Sequence, residues 1–67
     1  MTNEEKIEQI RQWNRYHNEY RVVLTFHDIY ATMSIRIYHN REEVAFDCGA
    51  TFSKRLDFVL KWISQQL

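Results

Sequence analysis

Three consecutive stretches of alternating apolar and polar residues constrain the fold of this chain more than any other feature. The first covers residues 20–27 (YRVVLTFH), the second residues 29–38 (IYATMSIRIY) and the third residues 44–48 (VAFDC). A period of two places successive side chains on opposite faces of a strand. Each stretch has one apolar face and one mixed face, which is typical of an antiparallel sheet covered on one side only.

A two-residue turn at Asn40-Arg41 would pair the second and third strands with apolar residues facing apolar residues. On the covered face the expected pairs are Ile37 with Val44, Ile35 with Phe46, and Met33 with Cys48. On the other face they are Tyr38 with Glu43, Arg36 with Ala45, and Ser34 with Asp47. Because a slip of one residue would move every side chain to the opposite face, the pattern predicts this register and a buried Cys48. Asn40 tolerates a positive φ but Arg41 is unusual there, so a slightly longer loop is the alternative.

A helix is predicted on each side of the three strands. Thr2 followed by Glu5 is a capping box, so we expect a helix over about residues 3–18. The second helix would begin after Thr51 or Ser53, with an apolar stripe made of Phe52, Leu56, Val59, Leu60, Ile63 and Leu67. The prediction is a single α+β domain over residues 1–67, in the order α-β-β-β-α. Its three strands form an antiparallel meander with two helices on one face.

The charge balance and the apolar runs argue against several classes of protein. Nine Lys and Arg residues match nine Asp and Glu residues, whereas nucleic-acid-binding domains usually carry a basic excess. No apolar run approaches the roughly 20 residues that a membrane-spanning helix needs. The acidic, polar N-terminus does not resemble a secretory signal. A single cysteine allows no internal disulfide, which favours a cytoplasmic setting.

The residues that could carry chemistry do not form a recognisable constellation. His17, His27, His39 and Cys48 lack the paired spacing of metal ligands, and the expected inward orientation of Cys48 argues against a nucleophile. A chain of this size also has little room for a ligand pocket. The sequence therefore predicts a protein that is not an enzyme and that holds no metal or cofactor.

Aromatic residues make up 15 % of the chain, and several lie outside the expected apolar stripes. On the second helix, Phe58 and Trp62 lie four residues apart with Arg55 beside them, the composition favoured at protein interfaces. These three residues are one predicted partner-binding surface. In the alternative arrangement, the two helices lie side by side and the rings fill the groove between them, together with Trp13, Tyr16 and Tyr20.

The uncovered sheet face is the second predicted contact surface, with Arg36 and Tyr38 as its main residues. Arg21, His27 and Tyr30 are expected on the same face, and aromatic residues beside arginines can stack on single-stranded bases. Two acidic residues on the third strand, Glu43 and Asp47, weaken that interpretation. The alternative is a solvated face with cross-strand ion pairs, such as Arg36 diagonal to Asp47.

The final segment, CGATFSKRLDFVLKWI, resembles the end of the double-stranded-RNA-binding domain. In that family a glycine precedes a Ser-Lys-Lys sequence at the start of the last helix, where lysines meet phosphates. The resemblance implies nucleic-acid contacts for Ser53, Lys54 and Arg55, and we add Lys61 farther along the helix. It also implies the same order of helices and strands.

Two other segments, YRVVL at 20–24 and DFVLKWI at 57–63, are similar to a family of small type II-A anti-CRISPR proteins from prophages. That resemblance implies a non-catalytic inhibitor built on an α-β-β-β-α sheet. The family is acidic and mimics DNA, and because this chain is neutral we do not extend DNA mimicry to it. We therefore predict an interaction or inhibitor module that occludes a surface of a larger host protein. An RNA-binding module is the alternative, and self-association as a homodimer is a further expectation.

Overall fold

The computed structural model describes residues 1–29 and 31–66 and confirms the predicted α-β-β-β-α order. The elements are α1 (Asn3–Tyr16), β1 (Tyr20–His27), β2 (Thr32–His39), β3 (Glu42–Gly49) and α2 (Phe52–Ser64). The sheet has the strand order β1-β2-β3 with antiparallel neighbours. Two predicted positions, Tyr30 on the open face and Leu67 on the stripe of α2, lie outside the described residues.

The predicted capping box begins α1. The backbone N–H of Glu5 donates to Thr2 Oγ1 over 3.1 Å, and Thr2 N–H donates to Glu5 Oε1 over 3.0 Å. At the other end, α1 stops two residues before the predicted 18, and Asn14 Nδ2 donates to the carbonyl of Tyr20 over 2.7 Å. The helix is thereby tied to the first residue of β1. On α2, Thr51 occupies the N-cap position, but its side chain makes no capping hydrogen bond.

The core lies between the helices and one face of the sheet. Its buried apolar residues are Ile10, Ile35, Ile37, Leu56 and Val59. α2 packs on β2 and β3, whereas α1 packs mainly on α2. β1 is therefore the least covered strand, and Leu24 and Phe26 stay 46 % and 60 % exposed although they lie on the helix side. Ile29, expected to point inward at the start of the second strand, lies in the preceding turn and is exposed.

The second hairpin has the predicted two-residue turn. Asn40 and Arg41 both have a positive φ, 50° and 73° respectively. This combination matches the right-handed twist of a hairpin. Tyr38 lies opposite Glu43 as expected. The longer loop considered for Arg41 is not needed.

Beyond that pair, β3 contains a β-bulge that overturns the predicted register. Tyr38 pairs with Glu43 and Ile37 pairs with Ala45, so Val44 is an additional residue without an opposite partner on β2. One additional residue inverts the side-chain alternation of everything that follows. The remaining pairs are Arg36 with Phe46, Ile35 with Asp47, Ser34 with Cys48, and Met33 with Gly49.

The expectation that Val44, Phe46 and Cys48 point into the core is therefore wrong. All three are exposed, and the pairing places Phe46 and Cys48 on the sheet face away from the helices. Their places under α2 are taken by Ala45, Asp47 and Gly49. The observed register places Asp47 and Gly49 under α2, where they lie against the polar side chain of Arg55. A row of apolar residues at these positions would leave the guanidinium group without an ionic partner.

Candidate functional site

Arg55, predicted as an exposed partner contact on α2, is buried. Only 9 % of the residue is exposed, and its Nε lies 3.3 Å from Oδ2 of Asp47. The two groups form an ion pair without an aligned hydrogen bond, since Nε and Nη1 have no hydrogen-bond partner within the described structure. A Cβ at Gly49 would overlap Arg55 Nη1, so a larger residue there would displace the guanidinium group from this position. Arg55 therefore holds α2 to β3.

Trp62 belongs to an aromatic cluster between α1, α2 and the start of β1. Its ring meets Trp13 edge-on at 5.9 Å and Tyr20 edge-on at 5.5 Å, measured between centroids. Tyr20 in turn stacks on His39 at 4.4 Å. These rings fill the space between the helices, which is the alternative arrangement considered from the sequence. Tyr16 does not join them and is 82 % exposed.

The surface predicted from Arg55, Phe58 and Trp62 is therefore not an exposed patch. Phe58 and Trp62 are partly buried and pack against the core cluster. A contact between these residues and a partner stays a prediction. It would use side chains that already pack against other residues of this chain.

Of the four residues assigned to nucleic-acid contact, two are paired within the fold and two are exposed. Ser53 Oγ accepts a hydrogen bond of 2.7 Å from Lys6 Nζ, which also pairs with Asp57 Oδ1 at 2.6 Å. Arg55 is paired with Asp47 as described. Only Lys54 and Lys61 of the predicted set are exposed. Because they lie seven residues apart, they are about 10 Å apart along the axis of α2.

The open sheet face carries a patch that sequence reasoning assigned only in part. We call Arg36, Tyr38 and Phe46, together with the adjoining bulge residue Val44, the open-face patch. Val44 is 44 % exposed and Phe46 is 47 % exposed, while Arg36 and Tyr38 are partly buried. Arg36 and Tyr38 were predicted here. Phe46 reaches this face only because of the bulge, for which the local sequence gives no signal.

Arg36 is held at the centre of this patch by contacts on both sides. Its Cζ lies 4.8 Å from the centroid of the Phe46 ring, a cation–π contact. Its Nε lies 3.1 Å from Glu43 Oε1. The ion pair predicted between Arg36 and Asp47 is wrong, because Asp47 lies on the opposite face of the sheet, where it meets Arg55.

Ser34 lies beneath Arg36 on the same face and is 2 % exposed. Its Oγ accepts a 3.3 Å hydrogen bond from Arg36 Nη1 and lies 3.1 Å from His27 Nε2. Since Arg36 has no acceptor, the hydroxyl hydrogen of Ser34 is free to donate to an unprotonated Nε2. A buried hydroxyl is out of reach of a substrate, so we interpret this contact as one that orients Arg36.

A shallow depression of about 550 Å³ adjoins the open-face patch at the Asn40-Arg41 turn. Tyr38 belongs to both surfaces. The depression is also lined by Asn18, Glu19, Tyr20, Arg21, Val23, Asn40 and Arg41. The wall contains charges of both signs, so it favours no single class of charged ligand.

Comparison with known protein families, curated proteins and solved structures finds no match to the chain. Within residues 1–29 and 31–66, no group of His, Cys, Asp and Glu residues is arranged to hold a metal ion. In the same described part, none of the helices has the length and apolar character needed to cross a membrane.

Proposed function

We propose that the protein is a non-catalytic interaction module that binds a partner protein through the open-face patch. The observation that supports this is the exposure of Phe46 on a sheet face that neither helix covers, beside the exposed bulge residue Val44. Interface centres are enriched in aromatic residues and arginine, with charged residues at the rim. Phe46 and Arg36 would form the centre, and Glu43 the rim.

The energetics of the patch favour binding. About half of the Phe46 side chain is exposed, so a partner could remove roughly 100 Å² of ring surface from water, worth about 2.5 kcal/mol. Arg36 is already held by Glu43 and by the Phe46 ring. Less side-chain entropy is lost on binding when a long side chain is fixed in advance.

The narrower role that we propose is that of an inhibitor, which occludes a surface of a larger host protein in the manner of phage or mobile-element proteins. This part rests on the resemblance of YRVVL and DFVLKWI to anti-CRISPR proteins. The exposed Phe46 with Arg36 over its ring is compatible with it. Capture from the native host, followed by mass spectrometry, would name the partner.

The test compares two exposed phenylalanines on opposite faces of the sheet. Phe46→Thr alters the open-face patch, while Phe26→Thr is a matched control on the helix side, and threonine retains a preference for strands. We expect Phe46→Thr to weaken binding of the captured partner about 10–30-fold, the cost of removing a central interface residue. Circular dichroism would verify that both variants fold. Equal binding by Phe46→Thr and wild type would contradict the proposal.

The RNA-binding alternative is tested separately by titrating the protein into fluorescent duplex RNA at two salt concentrations. Sub-micromolar binding that weakens with salt, and that is lost on changing Lys54 and Lys61 to alanine, would support that alternative. It would also overturn the proposal of a protein partner for the open-face patch.

A further inference from the structure

β1 lies at the edge of the sheet, and half of its backbone hydrogen-bonding groups face away from β2. The N–H of Asn40 donates to the carbonyl of Glu19 over 3.0 Å, so these two residues form a hydrogen-bonded pair. Along an antiparallel ladder, hydrogen-bonded pairs alternate with pairs that exchange no hydrogen bonds. The residues of β1 whose N–H and C=O groups face outward are therefore Tyr20, Val22, Leu24 and Phe26.

The outward groups of Tyr20 are satisfied within the chain. Its N–H donates to the carbonyl of His17 over 3.0 Å, and its carbonyl accepts from Asn14 Nδ2 over 2.7 Å. Val22, Leu24 and Phe26 have no equivalent bonds in the described parts of the chain. Three successive outward-facing residues are thus available for pairing with another strand.

The side chains of this edge are apolar and have little protection. Leu24 and Phe26 are about half exposed because α1 packs on α2 and leaves β1 uncovered. Natural edge strands usually carry a lysine, a proline or a bulge that discourages pairing. β1 contains no lysine or proline, and its register with β2 is continuous.

A groove of about 330 Å³ runs beside β1 on the helix side. Its apolar lining includes Ile10, Val22, Leu24, Ile35 and Leu56. The groove is therefore a mainly apolar recess that begins at the free edge of the sheet, where the exposed Leu24 lines it. Phe26 lies two residues farther along β1.

We propose that a second copy of this chain occupies the edge, with β1 antiparallel to β1 about a two-fold axis at Leu24. Leu24 of one copy would face Leu24 of the other, and Val22 would face Phe26. In each hydrogen-bonded pair both residues exchange their N–H and C=O bonds. All outward groups of Val22, Leu24 and Phe26 are then satisfied, and the two sheets continue as one.

The side chains favour a second copy over an unrelated strand. In this register each Phe26 ring lies opposite Val22 of the other copy, at the mouth of that copy's groove, so both grooves receive a ring. On the open face Arg21 would face His27 and Val23 would face Thr25, which brings no two permanently charged groups together. If one β1 strand were shifted by one residue, residues whose backbone groups face outward would lie opposite residues whose groups face β2. A shift of two residues would leave the outward groups at the ends of the pair without partners.

This self-association surface is separate from the open-face patch, so it goes beyond the proposed function. One strand pair and two rings form a small contact, at the low end of specific interfaces, for which we expect dissociation in the micromolar range. Sedimentation velocity from about 1 µM to about 1 mM covers that range. The expected result is a monomer that converts to a dimer as concentration rises.

Leu24→Lys tests the position of the axis. Two lysines would meet at the two-fold axis, and we expect association to weaken at least about tenfold, whereas the matched variant Val44→Lys should associate like wild type. The two original side chains are similarly exposed, at 46 % and 44 %. Phe46→Thr should not affect self-association, and Leu24→Lys should not affect partner capture, so the two proposals can fail independently.

Disulfide formation tests the register without relying on a charged variant. In a Cys48→Ser background, Leu24→Cys would place two thiols at Cα positions about 5.5 Å apart, within the range that a disulfide spans. Mild oxidation should link this variant, and not Thr25→Cys, into a dimer. A wild-type protein that stays monomeric at all concentrations would overturn the proposal, even if it binds extended peptides at β1. Linking of Thr25→Cys instead would overturn the register.

Discussion

Replacing Asp47 with asparagine would test whether the bulge places this residue against α2. Asp47 is the ionic partner of Arg55, whose side chain is only 11 % exposed. Breaking a fully buried ion pair by removing one partner costs about 3–5 kcal/mol, because a buried charge is left alone. The Asp47 side chain is 33 % exposed, so water offsets part of that cost. We therefore expect a loss of about 1.5–3 kcal/mol.

Chemical and thermal unfolding of the Asp47→Asn variant would measure this loss. For a domain of this size it corresponds to a fall in melting temperature of roughly 10–20 °C. Glu43→Gln is the matched control, because its pair with Arg36 has side chains that are 46 % and 35 % exposed. Exposed pairs contribute about 0–1 kcal/mol, so the control should change stability little.

A double variant distinguishes a lost ion pair from general disruption. Arg55→Met removes the buried charge, so adding Asp47→Asn to it should cost less than Asp47→Asn costs alone. If Asp47→Asn lost no more stability than Glu43→Gln, Asp47 would lie on the open face. The bulge at Val44, and the exposure of Phe46 that depends on it, would then be refuted.

Two further predictions concern the thiol and the helix cap. Cys48 is exposed, so a maleimide should label the native protein almost as fast as the unfolded protein. Strong protection of the thiol would instead support the register without a bulge, in which Cys48 is buried. Hydrogen bonds from the backbone and the side chain of Thr2 lower the pKa of Glu5. The cap therefore contributes stability above the ordinary glutamate pKa of about 4.3 and loses it as the pH falls through the lowered pKa. Carboxyl NMR titration of Thr2→Ala should show the Glu5 pKa rising part of the way toward its ordinary value, because the hydroxyl is lost while the backbone N–H of residue 2 remains. A Glu5 pKa at its ordinary value in the wild-type protein would disprove the capping box.

Several parts of the fold were predictable because they depend on residues close in sequence. The capping box needs only Thr2 and Glu5, and the turn needs only Asn40, Arg41 and their flanking strands. Alternation within each strand is also local, and with the apolar stripe of α2 it indicates the α-β-β-β-α order.

The candidate site was predictable only in part. Arg36 and Tyr38 were assigned to the open face correctly, because β2 pairs with β1 without interruption from Ile35 to Tyr38 and the additional residue of the bulge belongs to β3. Phe46 was assigned to the core, since apolar residues on β3 matched apolar residues on β2 without a bulge. No local pattern distinguished that register from the observed one.

The sequence by itself determined the number, type and order of the elements, which arise from hydrophobic period and capping. Tertiary structure alone decided which face of β3 is buried. α2 brings Arg55 against the sheet, and a buried guanidinium needs a carboxylate and space, which Asp47 and Gly49 supply. Since these contacts join residues distant in sequence, they override the local alternation and turn Phe46 and Cys48 toward solvent.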